Sequence, residues 1–349
     1  MQGYAAQVMS LMDRQVVPKT IQRAPDRQSR IRRVASLMGV RSFSDRKLRI
    51  AAIRFLNPAP LMWDFEHPPS RDELSTRYTI DWMLPSECAD RLVSGGADIG
   101  LVPIATLASS PGLRILPGCT IASKGKVRSL LLVRRADREL KALRHVAADT
   151  ASRTTIAYAR ILFRTWGNAG VELVPMAADL DAMLERADAA IVIGDPALMA
   201  LEERENRRMR TGEELVYHDL AEEWHRLTGL PFVSAVWSLG TTASVGDLPR
   251  FGPPATARGG PLEESVAEDL IRSRDHGLKH IDDLAAEWAR KIPLTEQTIR
   301  SYLTENIHYV LDEECVEGMR GFFRMAAEAG VQPAYDPDSA LEGSGPTRG

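Results

Sequence analysis

Apolar positions fall in short blocks divided by polar, glycine- or proline-rich turns, and the period inside the blocks changes along the chain. Ile50–Phe55 is a near-continuous apolar run of strand length, and it leads directly into Asn57-Pro58-Ala59-Pro60. Leu61–Pro69 predicts a short helix or turn ended by two prolines. Tyr78–Met83 alternates as a strand does. Ser86 is read as the N-cap of a helix carrying Cys88, Leu92 and Val93, which Gly95-Gly96 ends. Asp98–Ile104 is a second buried strand, and Leu113–Leu116 and Cys119–Ala122 are two further short ones. Val127–Val133 and Phe232–Leu239 are matching β runs, and are taken as the pair that crosses between two lobes. Between them lies a self-contained α/β unit. His145–Ala148 is a strand, Thr154–Trp166 a helix, Val171–Pro175 a strand, Asp179–Arg186 a helix and Ala189–Ile193 a strand that stops at Gly194-Asp195-Pro196. Asp219 and Glu222 cap a helix that Gly229 terminates. From Pro261 the pattern is helical throughout, with a break at Gly277 and stretches Ile281–Lys291, Thr295–Leu311 and Asp312–Ala329. Gly240–Gly260 reads as a surface connection.

This order of elements implies an α/β protein of two lobes, one formed by 48–127 plus 238–332 and the other by 128–237, with a cleft between them and a helical C-terminal segment. It is the arrangement of type II periplasmic-binding-protein-like folds, in which closure is a hinge motion. Residues 333–349 are polar and glycine-rich and are expected to fray. Residues 1–47 carry arginines at 14, 23, 27, 30, 32, 33, 41 and 46 and show no sustained periodicity. They read as a poorly ordered extension, partly the product of an upstream start codon, with no secretory pattern.

Composition narrows the function classes. The chain has 349 residues, 44% hydrophobic and 26% charged, with a formal net charge of -3, so no global charge points to nucleic acid or a membrane surface. No apolar run approaches the roughly 20 residues of a membrane span. Cys88, Cys119 and Cys315 are odd in number and lack metal spacing, which suits free thiols in a reducing compartment. A cytoplasmic location is the expectation. The C-terminal helices could pack a homodimer partner or only complete the first lobe.

Ligands of open α/β sheets sit outside the carboxyl ends of the strands. Asn57, stiffened by prolines on either side, is the first polar side chain at such an end. It is either a positioned hydrogen-bonding group or a residue that only turns the chain. A second loop offers Ser123, Lys124, Lys126, Arg128 and Ser129. In the third, Ser152 and Thr154 stand at a helix start, where free backbone N–H groups favour a carboxylate or phosphate; Arg153 adds charge or points to solvent, and Ser152 alone is also an ordinary cap. Two separate anion sites suit a small dicarboxylate. Asp195 in the fourth loop is open to three readings: catalytic, bridged to an arginine, or capping the next helix. The histidines are scattered; His67 is a conceivable acid or base, and an exposed loop histidine is its favoured reading. There is no P-loop, dinucleotide fingerprint, zinc motif or nucleophile elbow.

Six ordered motifs share one resemblance: FLNPAPLMWDFEH, DIGLVPI, SKGKVRSLLLV, ADTASRTT, IGDPAL and DLAEEWHRLTGLPFVSAVW. Together they resemble chorismate dehydratase of the futalosine route to menaquinone, across residues 48–332. The resemblance implies conversion of chorismate to 3-[(1-carboxyvinyl)oxy]benzoate and water, with no cofactor or metal. It places Asn57, Ser129 and Ser152-Arg153-Thr154 in the site, and Ala151 stands where a serine is expected. The matched motifs hold no evident base, so the expectation is that the substrate's enolpyruvyl carboxylate takes the proton, with Asp195 as runner-up. Two competitors remain. One is the sister enzyme that makes 1,4-dihydroxy-6-naphthoate, which by resemblance needs a histidine in the cleft. The other is a non-catalytic binder of small carboxylates.

Overall fold

The computed structural model describes residues 46–240 and 261–341; the expectations for 1–45, for most of the 240–260 connection and for 342–349 lie outside the described residues. The first half of the chain runs β1 (Leu48–Ile53), α1 (Trp63–Glu66), α2 (Ser70–Arg77), β2 (Tyr78–Met83), α3 (Pro85–Val93), β3 (Ile99–Pro103), α4 (Ala105–Ser109), β4 (Arg114–Ser123), β5 (Leu130–Arg135), β6 (His145–Asp149) and α5 (Arg153–Thr165). The second half runs β7 (Glu172–Met176), α6 (Leu180–Arg186), β8 (Ala189–Ile193), α7 (Gly194–Glu202), α8 (Arg204–Thr211), β9 (Leu215–Asp219), α9 (Leu220–Thr228), β10 (Phe232–Leu239), α10 (Pro261–Lys279), α11 (Ile281–Trp288), α12 (Glu296–Ser301), β11 (His308–Leu311), α13 (Glu313–Glu328) and α14 (Asp338–Leu341).

The strands form two sheets. One has six strands in the order β11-β4-β10-β3-β1-β2, the other five in the order β7-β6-β8-β5-β9. β1 lies parallel to both β2 and β3, and β6 parallel to both β7 and β8; β10 and β5 run antiparallel to their neighbours. A strand flanked on both sides and covered on both faces must be apolar throughout, which is why β1 and β8 lack clean alternation. β5 alternates its burial partners instead. Leu130 and Leu132 join the large core that runs under both sheets, while Leu131 and Val133 face a smaller cluster with Met183 and Leu184 of α6. Tyr158 of α5 ties the elements together: its ring stacks on Phe232 of β10 at 3.8 Å and meets Phe322 of α13 and Trp224 of α9 at 4.4 and 4.7 Å. Each fully buried side chain of that size contributes roughly 1.5–3 kcal/mol.

Several sequence expectations need correcting. The N-cap of α3 is Leu84, whose N–H is taken by Glu87 at 2.7 Å, with Pro85 as first helical residue; the Ser86 N–H reaches instead to the Ala151 carbonyl at 3.2 Å. The two short strands at 113–122 are one strand, β4, interrupted by bulges against β10 and β11. β5 begins at Leu130 rather than Val127, because the 127–129 segment turns sharply at Arg128 (φ 63°). The two matched β runs do not form one crossing pair: β5 belongs to the five-stranded sheet and β10 to the six-stranded one.

The region beyond Pro261 is not wholly helical. After α12 the chain makes a π-helical turn, Tyr302–Asn306, and then forms the edge strand β11. Gly277 does not break a helix, since α10 runs through it. A Cβ there would lie 2.1 Å from the Pro60 carbonyl oxygen, so glycine is what allows α10 to press against the loop after β1. Two further segments are more firmly held than their composition suggests. Arg46 forks onto Asp98 at 2.9 and 3.1 Å, and Arg320 holds Asp338 by two bonds of 2.9 Å, docking the chain after Pro333 as far as α14.

Candidate active site

The carboxyl ends of both sheets face a single narrow cleft. From the six-stranded sheet come Ile53, Phe55 and Asn57 after β1, Pro103 at the end of β3, Ile121 of β4, and Ser234 and Ala235 of β10. From the other side come Leu130 of β5, Ser152, Thr154 and Thr155 at the start of α5, and Ile193 and Gly194 where β8 becomes α7. The wall is largely apolar with a few convergent polar groups, the usual make-up of a small-molecule site. The enclosed space is about 40 Å³.

Asn57 stands in this wall with its Oδ1 buried and without a hydrogen-bond partner among the described residues. An unpaired buried acceptor costs about 1–3 kcal/mol, so it marks a place where a donor is expected to arrive. On the facing side, Ser152 caps α5: its Oγ accepts from the Thr155 N–H at 3.1 Å. Thr154 is buried too, and its Oγ1 accepts from the Ala105 N–H at 3.3 Å, which leaves its own hydrogen free to donate. Ser152, Thr154 and Thr155, at the start of a 13-residue helix, line the same space, so the positive end of the helix dipole lies beside it.

Asp195 sits in the first turn of α7, only 8% exposed, and its Oδ1 accepts from the Leu56 N–H at 2.9 Å. Burial pushes its carboxyl up to about 6, and the single amide bond only partly offsets that. Of the three readings, the arginine bridge is not what the structure contains; the carboxylate instead joins the two sides of the cleft. Gly194 makes this approach possible. Its φ is +65°, and a Cβ on it would lie 2.7 Å from the Phe55 ring. Asp149, just before the α5 loop, is likewise buried, and its Oδ1 takes the Ala151 N–H at 2.9 Å. Burial raises its carboxyl, against the pull of the Ala151 and Ile193 amides.

The remaining expected residues stand behind or beside the cleft wall. Ser123 is buried and donates to the Gly125 carbonyl at 2.9 Å. Lys124 is spent on Asp312 and Glu314, and Lys126 on Glu222. Arg128 pairs with Glu202, and its N–H bonds Asp219 at 2.6 Å. Ser129 is 1% exposed, and its Oγ accepts from the buried Tyr302 hydroxyl at 2.9 Å. Arg153 turns outward to Asp90 at 2.6 Å. His67 lies away from the cleft, against Glu287 at 3.1 Å and stacked on Trp63. Sequence reasoning passed over Phe55 and Ser234 as site groups, and took Thr155 and Gly194 only as parts of the facing loops. Ser234 carried a weak signal, as one of two serines in a largely apolar strand.

A model of a family described by menaquinone biosynthesis matches residues 48–328, which covers both sheets and every residue of the cleft. The chain belongs to the menaquinone biosynthesis family. This family member is 27% identical over 247 residues to a protein named chorismate dehydratase from Thermus thermophilus, spanning 68% of this chain and 83% of that one. Among solved structures it is similar to a protein from Archaeoglobus fulgidus, with a TM-score of 0.62 and 14% identity over 82% of this chain and 98% of that one. It is also similar to a Candida albicans gene product described as having the generic periplasmic binding protein fold, with a TM-score of 0.56 and 14% identity over 85% and 94% of the two chains. The periplasmic aliphatic sulphonate binding protein SsuA from Escherichia coli has a TM-score of 0.55 and 14% identity over 87% and 94%. The fold is therefore the two-lobed, periplasmic-binding-protein-like α/β fold.

Proposed function

We propose that this menaquinone-family chain is a chorismate dehydratase, a hydro-lyase of the futalosine route that converts chorismate to 3-[(1-carboxyvinyl)oxy]benzoate and water in the cytoplasm. The observation that carries the reading is the pairing across one cleft of an unsatisfied Asn57 oxygen with the open N-terminus of α5. Chorismate has two carboxylates and a hydroxyl. The helix start suits a carboxylate, and Asn57 Oδ1 suits the hydroxyl as donor.

The reaction removes the proton from the ring carbon that bears the enolpyruvyl ether, together with the hydroxyl on the next carbon. Aromatisation supplies the driving force. No histidine lines the cleft among the described residues, which weighs against the naphthoate-forming sister enzyme. Asp195 is buried beside Gly194 and is not among the residues that line the cleft, so it is the weaker candidate for reaching a substrate proton. In this mechanism the substrate's own enolpyruvyl carboxylate takes the ring proton and passes it to the departing hydroxyl, which leaves as water and returns the carboxylate to its charged form. The protein's work is to hold a reactive conformer, with Asn57 Oδ1 orienting the hydroxyl and the α5 N-terminus holding a carboxylate. An enclosed space of about 40 Å³ holds no more than a few waters, so the lobes must part to admit the ring.

Incubating the full chain with chorismate and analysing products by liquid chromatography and mass spectrometry tests this. An aromatic product lighter by one water supports it. Chorismate left unchanged beyond its spontaneous decay, with folded protein, refutes it; a rise in melting temperature with chorismate in that case would identify a binder.

A further inference from the structure

We propose that a second pocket, on the other side of Phe55 from the cleft, binds a planar aromatic carboxylate, the class of compound that the proposed dehydration releases; this inference rests on that reading. The pocket has a volume of about 310 Å³, far more than the 40 Å³ of the cleft, and Phe55 lines both. It opens at the carboxyl ends of the parallel strands β1 and β2, where an open sheet of this kind binds ligands. Arg54 and Phe55 follow β1, Trp82 is the penultimate residue of β2, and Trp288 and Lys291 come from the end of α11.

The chemistry of the walls selects the occupant. Three aromatic side chains, Phe55, Trp82 and Trp288, meet in one small pocket, and Trp82 is 39% exposed despite its size. Such faces favour a flat ring. Arg54 supplies the charge. Its nearest acid is Glu87 at 3.7 Å, with both side chains more than half exposed, and the Glu87 Oε2 is already taken by the Leu84 amide. That pair is long and solvent-exposed, so a ligand carboxylate can compete for the Arg54 guanidinium. Lys291 is committed elsewhere, to Glu287 at 2.5 Å and to the Trp288 ring at 4.8 Å. Two cations in the wall disfavour an amine ligand. Glu66 also lines the pocket, and its carboxyl works against an anionic ligand, opposite in sign to Arg54. Phe55 packs on Gly194 when the cleft is shut, so movement of this one ring would join the two spaces and give the flat product a way out.

The test is a tryptophan-fluorescence titration of the full chain with 3-hydroxybenzoate, and with cyclohexanecarboxylate as the non-planar control. Quenching by the aromatic acid is expected at lower concentration than any effect of the control. Trp82→Phe with Trp288→Phe should remove most of the quench, with Trp82→Phe alone as the fallback if the double variant does not fold. Arg54→Gln should raise Kd about tenfold, the loss of one charge-assisted pair, and Arg54→Lys should recover part of it. Glu66→Gln should leave Kd equal or lower, opposite in sign to Arg54→Gln. Unaltered quenching in the tryptophan variants, or equal Kd in wild type and Arg54→Gln, overturns the inference. Turnover of chorismate by the wild type is measured separately. An inert wild type with Arg54-dependent quenching would sink the dehydratase and keep the pocket, and an active one with Arg54-independent binding would do the reverse.

Discussion

The two walls of the cleft handle their polar groups in opposite ways. The wall after β1 presents Asn57 with a buried oxygen that nothing in the fold satisfies. The wall at the start of α5 is satisfied from within: Ser152 caps Thr155, Thr154 takes the Ala105 amide, and Asp149 takes the Ala151 amide. The first wall holds an acceptor that a water or a ligand has to satisfy. The second is a finished helix terminus whose amides and dipole are available without any cost to the apo fold. A site built this way separates recognition of a donor on one side from recognition of an anion on the other, and the two halves should respond differently to substitution.

The largest effect is expected at the unsatisfied wall. Asn57→Leu keeps the shape and removes the oxygen, so kcat/KM should fall about a hundredfold or more while the melting temperature holds or rises. Parallel kinetics and thermal melts check it; a fall in both together would mean that Asn57 serves the fold.

Asp195 bridges the walls and tests them by pH. Its folded-state value of about 6 lies above the ordinary 3.8. Below the unfolded value it is protonated in both states and costs nothing. Between about pH 4 and pH 6 the unfolded carboxyl ionises while the folded one does not, so stability falls by about 3 kcal/mol, in proportion to the shift, and stays lower above about pH 6. Asp195→Asn should therefore raise stability at pH 8 by up to that amount, and the gain should vanish below about pH 4, as read by denaturant melts at the two pH values. It should also keep most of the turnover. A dead but folded and ligand-binding Asp195→Asn would give the proton transfer to this carboxylate instead of the substrate.

At the satisfied wall the expected effects are smaller. Ser152→Ala removes a cap and should cost about 1 kcal/mol of stability, with a KM increase larger than any loss in kcat. Arg153→Gln should change stability by less than about 0.5 kcal/mol and leave activity nearly intact, since its pair with Asp90 is exposed. A large kinetic defect in Arg153→Gln would show that this arginine swings into the cleft when ligand binds.

The same division explains what the sequence could tell. The Asn57 loop and the Ser152 cap are local: proline stiffening and a serine before a helical run are written in neighbouring residues. Helix and strand periodicity likewise placed most elements to within a residue or two. What was illegible depended on distant partners. Gly277 looks like a break because nothing nearby in sequence reveals the Pro60 backbone pressed against it. Ser129 reads as a cleft group at the end of a basic loop, yet its hydroxyl accepts from Tyr302, far along the chain. β11 was lost in a helical pattern because four residues at a sheet edge take their identity from β4. Asp195 kept three readings open because its partner is a backbone amide across the cleft, which no residue type announces.

One measurement bears most directly on the claim that the unsatisfied wall and the helix start act on the same substrate. Wild type and Asn57→Leu are incubated side by side with chorismate, and the products are resolved by mass. The expected result is an aromatic product lighter by one water from the wild type and only spontaneous decay from the folded variant. Unchanged chorismate from both, or equal product from both, would contradict it.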